Sequence, residues 1–410
     1  MSTSKRHRSW RQRNWSSRVS ENDSLNDKTV LPGATIGMVG GGQLGRMFAI
    51  AAIQMGYDVV VFCGSDDEPA AQVATRVVFG HLDDDEAVSR FAAQCDVISL
   101  EFENIPAETM RLCGEHAPTY PSHHVLATAQ DRLIEKQTFA DAGLAVTPFA
   151  RVTGRADLEA FAEQHGWPVI VKTARSGYDG KGQHRISSPD EIDAIPWQET
   201  EHWIAERCIA FRAEASVIVA RSAVGKTRCF PPFENHHVNH ILDTTVCPSS
   251  LPAALIDKAV ALATRAAEVL DLVGVLCVEL FVVDDDTLMI NEVAPRPHNS
   301  GHLTIEACFT SQFEQHVRAV CGLPLGDPSL RVPAAAMANL LGDVWSEPGP
   351  TRWDGLLKAE PTVSLHLYGK RSARIGRKMG HLTATADNID EARRVVLDAR
   401  STLSSGDNAN

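Results

Sequence analysis

Two apolar runs separated by three aspartates constrain the fold of this chain more than any other feature. The runs are residues 275–283 and 287–293, and the aspartates occupy 284–286. Apolar runs that flank a short polar turn are typical of a β-hairpin. With a two-residue turn at the last two aspartates, Glu279 and Glu292 face each other on neighbouring strands, a few ångströms apart.

Two carboxylates on one face of an apolar hairpin repel each other and are costly to remove from water. A divalent cation relieves both problems, and Mg²⁺ is typically bound by one or two carboxylates together with nucleotide phosphates. Asn291 supplies an amide oxygen beside Glu292. The alternative is a structural ion pair between one carboxylate and Arg296. We predict that Glu279 and Glu292 are metal ligands.

The N-terminal part of the chain alternates strands and helices. Apolar strands at 35–39, 58–62 and 96–100 frame a helical pattern that runs through Met55. This order predicts a parallel, doubly wound sheet over about residues 30–125.

The segment GGGQLG at 40–45 follows the first of these strands and fits the pattern G-x-G-x-x-G. Alone it is a weak signal. Asp66 lies near the end of the second strand, so NAD binding stays open on spacing. The loop could also hold another phosphate at the helix N-terminus, or be only a tight turn.

Three further segments are rich in glycine or in cations. Lys172 ends a strand and precedes the glycine-rich residues 175–183, which could cradle a phosphate or form a solvated hairpin tip. Residues 294–302 follow the metal hairpin and would place Arg296 and His298 around an anion. Residues 366–381 could clamp a phosphate through Lys370 and Arg377, or be a solvated basic face.

Composition limits the remaining possibilities. The 410 residues carry a net charge of −13, which argues against general nucleic-acid binding. No apolar run approaches the roughly 18 residues that a membrane span needs. The nine cysteines include no C-x-x-C pair, which indicates buried thiols in a reducing cytoplasm. The basic, Ser-rich N-terminus predicts a disordered extension; a targeting peptide is the alternative.

Together these segments resemble the 5-(carboxyamino)imidazole ribonucleotide synthases, a family of ATP-grasp ligases in purine biosynthesis. The matching strings are GGGQLG at 40–45, EFENIP at 101–106, DRLIEKQ at 131–137, SGYDGKGQ at 176–183, ENHH at 234–237, NEVAPRPHNSGH at 291–302, SQFEQHVRA at 311–319, and YGK with GRKMGH within 368–381. Their order covers residues 35 to about 385. The strings NEVAPRPHNSGH and GRKMGH are specific to the family, whereas the wider superfamily shares only the two metal acids.

The resemblance implies an α/β ATP-grasp fold with five segments. These are a disordered basic extension at 1–29, an N-terminal doubly wound pre-ATP-grasp domain at 30–128, an ATP-grasp domain at 129–323, a small, mostly β C-terminal domain at 324–400 and a disordered tail at 401–410. It also implies a cytoplasmic homodimer that binds neither nucleic acid nor membrane. The basic extension is not part of the family pattern, and Arg207 and Cys208 stand where smaller or more apolar residues are expected.

The reaction implied by the resemblance is ATP-dependent carboxylation of 5-aminoimidazole ribonucleotide by bicarbonate, with ADP and phosphate as the other products. ATP and Mg²⁺, two ions on Glu279 and Glu292, would be the cofactors. The expected ATP-binding residues are Arg132, Lys172, Gly177, Tyr178, Asp179, Gly180, Lys181, Gly182, Gln183, Glu206, Arg207, Cys208, Ile209, Glu214, His237, Asn291 and Glu292.

The resemblance likewise implies a set of residues around the ribonucleotide: Gln43, Glu101, Tyr178, Asp179, Arg296, His298, Asn299, Ser300, Lys370 and Arg377. Of these residues and the ATP-binding set, Arg296, Lys172, Tyr178, Asp179 and His298 are the expected catalytic residues. The first glycine-rich loop and the pair Lys370 and Arg377 are two candidate clamps for the substrate phosphate, and the sequence does not choose between them.

Two rival interpretations remain. One is another ATP-grasp enzyme, such as biotin carboxylase or the formate-dependent glycinamide ribonucleotide transformylase, which would share the metal acids but not GRKMGH. The other is a non-catalytic protein that binds NAD or senses a nucleotide through the first domain.

Overall fold

The structure is a computed structural model that describes residues 29–175, 182–197, 202–345 and 353–404. Apart from Thr29, the predicted N-terminal extension lies outside these ranges. Among the helices within them, none has the length and apolar character that crossing a membrane requires.

The N-terminal part is a parallel sheet with helices on both faces. Its strands are β1 (Thr35–Val39), β2 (Asp58–Cys63), β3 (Arg76–Phe79) and β4 (Val97–Leu100), in the order β3-β2-β1-β4. Its helices are α1 (Gln43–Gln54), α2 (Asp85–Ala92), α3 (Ala107–Cys113) and α4 (His123–Ala129). Leu44, Met47 and Phe48 of α1 are buried at helical spacing against one face, and Phe91 of α2 packs on the other. The predicted doubly wound sheet is confirmed.

A small antiparallel sheet follows, with its strands in the order β5-β8-β6-β7. Its elements are α5 (Arg132–Asp141), β5 (Phe149–Val152), α6 (Arg155–His165), β6 (Val169–Thr173), β7 (Gln183–Ile186) and β8 (Trp203–Arg207). Helix α5 begins directly after Asp131, whose side chain caps it by accepting hydrogen bonds from the backbone N–H groups of Leu133 and Ile134.

A nine-stranded antiparallel sheet forms the largest part of the molecule. Its strands are β9 (Ala213–Arg221), β10 (Thr227–Cys229), β11 (Phe233–Val238), β12 (Ile241–Cys247), β13 (Gly274–Val282), β14 (Leu288–Ala294), β15 (Ala334–Leu341), β16 (Ser364–Leu367) and β17 (Lys378–Ala386). The remaining helices are α7 (Ala253–Val269), α8 (Thr304–Ala307), α9 (Gln312–Val320), α10 (Trp353–Ala359) and α11 (Ile389–Ser404). The order is β14-β13-β9-β11-β12-β15-β17-β16, with β10 paired to β9, so β14 is an edge strand.

The C-terminal part contains the predicted strands and, in addition, two helices. Its three strands continue the large sheet, because β15 pairs with β12 through Thr244↔Ala338 and the residues that follow. Helices α10 and α11 lie beside these strands, and α11 packs Val396 and Ala399 into the same core as β15 and β17. The amphipathic pattern of α11 is the sequence signal that the prediction overlooked.

The tail predicted to be disordered from residue 401 is helical through Ser404. Leu403 is only 4% exposed and belongs to the core formed by β15, β17 and α11. Burial of this leucine stabilises the last turn, so the prediction for residues 401–404 is wrong. Residues 405–410 lie outside the described ranges.

The nine cysteines carry free thiols, as the sequence indicated. Seven of them are buried, and Cys95 and Cys208 are half-buried. Burial raises the pKa of the Cys113 thiol to about 12, so this group is an unreactive apolar side chain at neutral pH.

His316 joins the first sheet to the large sheet. The backbone N–H of Val275 donates to its Nδ1 at 3.1 Å, so Nε2 carries the proton and donates to Ser99 Oγ at 2.8 Å. Burial lowers the pKa of His316 to about 3, which keeps the ring neutral. The start of β13 is thereby fixed against the end of β4.

The packing of α11 gives the first prediction. Leu403→Ala should lower the free energy of unfolding by about 2–4 kcal/mol, because it removes a buried side chain. Ser401→Ala, an exposed change in the same turn, should alter it by less than about 0.5 kcal/mol. Urea denaturation of both variants measures the difference, and equal midpoints would show that the last turn does not pack.

Candidate active site

The predicted opposition of Glu279 and Glu292 is confirmed, but the predicted turn is wrong. Strands β13 and β14 pair Glu279 with Glu292, whereas Leu280 pairs with Ile290 because a bulge shifts the register. The N–H of Val283 donates to the carbonyl of Thr287 at 3.0 Å, so the loop contains all three aspartates.

The bulge has a packing cause. Ile290 and Val293 both belong to the core under the sheet, although they are three residues apart. Strict alternation would put one of them on the opposite face. Asn291 is the unpaired extra residue, and it lets Glu292 and Glu279 share the face opposite the core.

The two carboxylates are electrostatically unlike. Burial and the neighbouring charge of Glu279 raise the pKa of Glu292. Burial also acts to raise the pKa of Glu279, but His298, His237 and Arg296 outweigh it and hold that pKa at about 2. His298 Nε2 lies 3.1 Å from Glu279. Glu279 is therefore anionic and Glu292 gains most from an added positive charge.

The alternative ion pair of one of these acids with Arg296 is wrong. The Nε of Arg296 instead bonds to the carboxylate of Glu103, and its NH1 donates to the carbonyl of Pro297 at 3.0 Å. Burial raises the pKa of Glu103, but Arg296 overrides this and holds it at about 2.

Glu279 and Glu292 fit Mg²⁺ in type and number. Carboxylate oxygens are the hard ligands this ion takes, usually one or two beside phosphate and water. Within the described ranges, three or more potential metal-ligating side chains do not come together anywhere. A dedicated protein cage is thus absent from this part of the chain, whereas a site completed by nucleotide phosphates agrees with the two acids.

Several predicted ATP-binding residues converge beside β14. Lys172 Nζ lies 3.3 Å from Glu206 Oε1, and Lys136 Nζ lies 3.5 Å from Glu206 Oε2. Burial raises the pKa of Glu206, but the two lysines outweigh it and lower that pKa to about 2. The NH1 of Arg132 donates to the carbonyl of Thr173 at 3.1 Å, which places its side chain near Lys172.

Glu214 and His237 meet on adjacent strands, with Glu214 Oε2 2.8 Å from His237 Nδ1. Strand β8 ends at Arg207, so of the predicted ATP-binding residues 206–209 the last two, Cys208 and Ile209, lie just beyond this strand. Gln183 pairs with Lys172 across β6 and β7. The predicted residues Gly177, Tyr178, Asp179, Gly180 and Lys181 lie outside the described ranges, while Gly182 is described with φ +73°.

The loop after β14 brings its predicted residues together. Ser300 is fully buried, and its Oγ lies 2.8 Å from Ser216 Oγ and 2.9 Å from His298 Nδ1. Burial lowers the pKa of His298, but Cys277 and Glu279 outweigh it and raise the pKa to about 10. Asn299 is buried, and within the described residues neither polar atom of its side chain has a hydrogen-bond partner. Both polar atoms of this amide can therefore accept or donate a hydrogen bond to a ligand or to ordered water.

Glu101 occupies the N-terminus of α1. Its Oε1 accepts from the N–H of Gly42 at 2.7 Å, and its Oε2 accepts from the N–H of Gly45 at 3.2 Å. A Cβ on Gly42 would lie 2.3 Å from Oε1, so a side chain there would displace the Glu101 carboxyl group. Gln43 is the first residue of α1 and is half-buried beside this loop. The predicted contact of Glu101 with a ribonucleotide stays a prediction.

This arrangement opposes the NAD interpretation. Dinucleotide binding uses the backbone N–H groups at the start of the helix to hold the pyrophosphate. Here the carboxyl group of Glu101 already accepts two of them, so they are not available to a pyrophosphate. Asp66, the residue considered for ribose recognition, is exposed in the turn after β2.

Lys370 and Arg377 line a cavity of about 240 Å³ between the first and last parts of the chain. Lys370 Nζ donates to the carbonyl of Lys378 at 2.8 Å, and Arg377 NH1 donates to Ser372 Oγ at 2.8 Å. Asp67 and Glu68 line the opposite wall, and Asp67 pairs with Arg371. Both predicted cations thus line one cavity, and Lys370 Nζ also lies 5.8 Å from the centre of the Tyr368 ring.

Sequence reasoning missed Glu103, Glu135 and Lys136. Glu103 stands two residues after Glu101 in EFENIP and pairs with Arg296 from 193 residues away. Glu135 and Lys136 lie in DRLIEKQ, yet each is only 2% exposed. Charged residues on a helix normally indicate a solvated face, and no local pattern signalled their burial.

Comparison with known families agrees with this architecture. Residues 33–130 match the ribonucleotide synthetase preATP-grasp domain, residues 137–313 match the ATP-grasp domain, and residues 335–395 match the phosphoribosylaminoimidazole carboxylase C-terminal domain. The fold and the paired acids therefore define an ATP-grasp enzyme, as predicted.

Individual relatives cover nearly the whole chain. The N5-carboxyaminoimidazole ribonucleotide synthase of Bacillus subtilis is 42% identical over 372 residues, which are 90% of this chain and 95% of that protein. The N5-carboxyaminoimidazole synthetase of Staphylococcus aureus, solved with ADP, has a TM-score of 0.84 at 36% identity, covering 92% of this chain and all of that one.

A third relative was solved with both ADP and 5-aminoimidazole ribonucleotide. This synthase of Aspergillus clavatus has a TM-score of 0.82 at 30% identity, covering 90% of this chain and 98% of its own. The chain belongs to the N5-carboxyaminoimidazole ribonucleotide synthase family, whose members are ATP-dependent ligases.

The pair of Arg296 and Glu103 gives the second prediction. Glu103→Gln should destabilise the protein by about 3 kcal/mol, because it leaves a buried guanidinium without its anion. Glu108→Gln removes an exposed partner of Arg111 and should leave the free energy of unfolding nearly unchanged, because water screens such surface pairs. Urea denaturation of the two variants tests this, and equal losses would contradict the buried pair.

Proposed function

We propose that this chain carboxylates the amine of 5-aminoimidazole ribonucleotide with ATP and bicarbonate, giving 5-(carboxyamino)imidazole ribonucleotide, ADP and phosphate. The observation that carries the proposal is the opposition of Glu279 and Glu292 beside the loop that holds Arg296, His298 and Asn299. The two acids support phosphoryl transfer from ATP, and the loop supports an acceptor next to it.

In the first step an oxygen of bicarbonate attacks the γ-phosphorus, and the bond from that phosphorus to ADP breaks. The product is carboxyphosphate. Such transfer depends mainly on positioning and neutralisation of charge. The charges of Lys172 and Arg132 partly oppose the rise in the pKa of Glu292 that burial and Glu279 cause, so they are within reach of phosphates held there. Bound Mg²⁺, expected as two ions on Glu279 and Glu292, would neutralise the phosphate charge.

In the second step the amine nitrogen bonds to the carboxyl carbon of carboxyphosphate, phosphate leaves and the nitrogen loses a proton. Release of carbon dioxide before this bond forms is an equivalent route. Arg296 is the cation of the loop, and its pair with Glu103 fixes the guanidinium for a bicarbonate or carboxyphosphate anion. His298 is held by Ser300 on one side and Glu279 on the other.

The nucleotide base would form hydrogen bonds with the backbone of residues 206–209, where β8 ends. Glu214 and His237 would meet the ribose, and Asn291 stands beside Glu292 for the phosphates. The glycine-rich residues 177–183, with Lys181, would cover the phosphates, and Tyr178 and Asp179 would also face the ribonucleotide. Ser300 is too deeply buried for direct contact, so we assign it to orienting His298.

Of the two candidate clamps for the substrate phosphate, we favour Lys370 and Arg377. Glu101 occupies two backbone N–H groups of the first glycine-rich loop, so these donors are not available to a phosphate there. Lys370 and Arg377 line one cavity and carry two positive charges. Gln43 then remains as a polar contact near the same ligand. A cytoplasmic homodimer is part of the proposal through the family resemblance alone.

The third prediction separates this function from the rival ATP-grasp reactions. ADP release should require both bicarbonate and 5-aminoimidazole ribonucleotide. Glu279→Gln should reduce it by about 10³-fold or more, because charge neutralisation supplies several kcal/mol. Asp284→Asn, in the exposed turn of the same hairpin, should keep wild-type turnover. ADP release with formate and glycinamide ribonucleotide, or an unaffected Glu279→Gln, would contradict the proposal.

The fourth prediction follows from the clamp. Burial, together with the charge of Arg377, lowers the pKa of Lys370 to about 8. Its ammonium is therefore present below that pH and is lost as the pH rises through it. The kcat/KM for the ribonucleotide should fall above pH 8, since this quantity reports the free enzyme.

The matched variants are Lys370→Arg and Lys358→Arg, the second being an exposed control on α10. Arginine stays charged, so Lys370→Arg should remove the fall of kcat/KM above pH 8, whereas Lys358→Arg should retain it. A profile that still falls at pH 8 in Lys370→Arg would assign the titration to another group.

A further inference from the structure

Two adjacent charged residues of α5 are buried next to the metal strand. Glu135 and Lys136 are each 2% exposed. Charged groups are almost never buried so completely unless they are paired, because desolvation is costly. An apolar pair could fill the same space at a lower cost, so the choice of charged residues requires a reason.

Lys136 makes two hydrogen bonds and one ion pair through its ammonium group. Its Nζ donates to the carbonyl of Asn291 at 2.8 Å and to Thr147 Oγ1 at 2.8 Å, and it lies 3.5 Å from Glu206 Oε2. Asn291 is the bulged residue, which the ladder with β13 leaves unpaired. Lys136 therefore fixes the irregular point of β14 and connects it to the end of β8.

Glu135 holds the other side of the same strand position. Its Oε2 accepts a hydrogen bond from the backbone N–H of Val293 at 3.4 Å. The two bonds from α5 thus reach the residues immediately before and after Glu292. The N–H of Ile290 also donates to the carbonyl of Ala145 at 2.8 Å. The outer edge of β14 is therefore held at Ile290, Asn291 and Val293.

We propose that Glu135 and Lys136 are positioning residues that fix the backbone on both sides of Glu292 and thereby aim its carboxylate at the metal ion. The inference rests on the proposed function, because it assumes that Glu292 is a metal ligand. A bulge in an edge strand has few bonds of its own to define its geometry. Misplacement of a reacting group by about 1 Å can cost 10²-fold in rate, which explains the value of buried anchors.

The alternative is that Glu135 is itself a third metal ligand. The structure does not support this, since potential ligands do not gather in threes within the described ranges. Glu135→Gln separates the two cases. Glutamine keeps an oxygen that accepts from Val293, so positioning survives, whereas the loss of charge would weaken a direct ligand.

The experiment measures Mn²⁺ binding to the full-length protein in the presence of ADP, by the loss of the free Mn²⁺ signal in electron paramagnetic resonance. Lys136→Met and Glu135→Leu should weaken Mn²⁺ binding by about tenfold or more, which corresponds to about 1.4 kcal/mol. Glu135→Gln should bind Mn²⁺ as the wild type does. ADP binding in EDTA should change by less than about threefold in Glu135→Leu, because the base and ribose contacts stay intact.

Thr147 offers gentler variants if the larger changes prevent folding. Thr147→Val removes one acceptor of Lys136 and should weaken Mn²⁺ binding by about threefold, while Thr147→Ser keeps the hydroxyl and should restore it. Wild-type Mn²⁺ affinity in Thr147→Val and in every folded variant of Glu135 and Lys136 would overturn the inference. So would equal weakening in Glu135→Gln and Glu135→Leu. Failure of the wild type to bind Mn²⁺ with ADP would instead overturn the metal site, and the proposed function with it.

Discussion

The opposition of Glu279 and Glu292 across β13 and β14 is the constraint on which the rest of the site depends. It puts two like charges on one half-buried face, and the energetic cost is relieved only by cations. The surrounding groups divide this task. His298 neutralises the charge of Glu279. The charges of Lys172 and Arg132 act on Glu292, and Glu103 neutralises Arg296 in the loop. The site therefore carries the negative charges that bind a metal ion and the positive charges that bind anionic substrates.

All three parts of the chain contribute to this arrangement. The first sheet is fixed to β13 through His316, and it supplies Glu103 to the loop after β14. Gln72 joins the first part to the last part, because its Nε2 donates to the carbonyl of Gly369 at 2.8 Å. The cavity of Lys370 and Arg377 thus lies where the first and last parts meet.

Much of the fold was predictable because alternating polarity and capping are local signals. The hairpin, the first sheet and the start of α5 at Asp131 follow from such patterns. The bulge at Asn291 was missed, although Ile290 and Val293 stand at a spacing that a regular strand cannot bury on one face. Partners distant in sequence could not be predicted, and the pair of Arg296 and Glu103 is the clearest case. Glu135 and Lys136 resembled a solvated helix face until their contacts placed them against β14.

The central claim is that bicarbonate receives the γ-phosphoryl group of ATP. The most direct measurement supplies bicarbonate labelled with ¹⁸O, together with ATP and 5-aminoimidazole ribonucleotide, and determines the isotope in the released phosphate by mass spectrometry. Attack by a bicarbonate oxygen on the γ-phosphorus transfers that oxygen, so one ¹⁸O atom should appear in each phosphate formed in early turnover. Unlabelled phosphate would show that water or the ribonucleotide, and not bicarbonate, accepts the phosphoryl group.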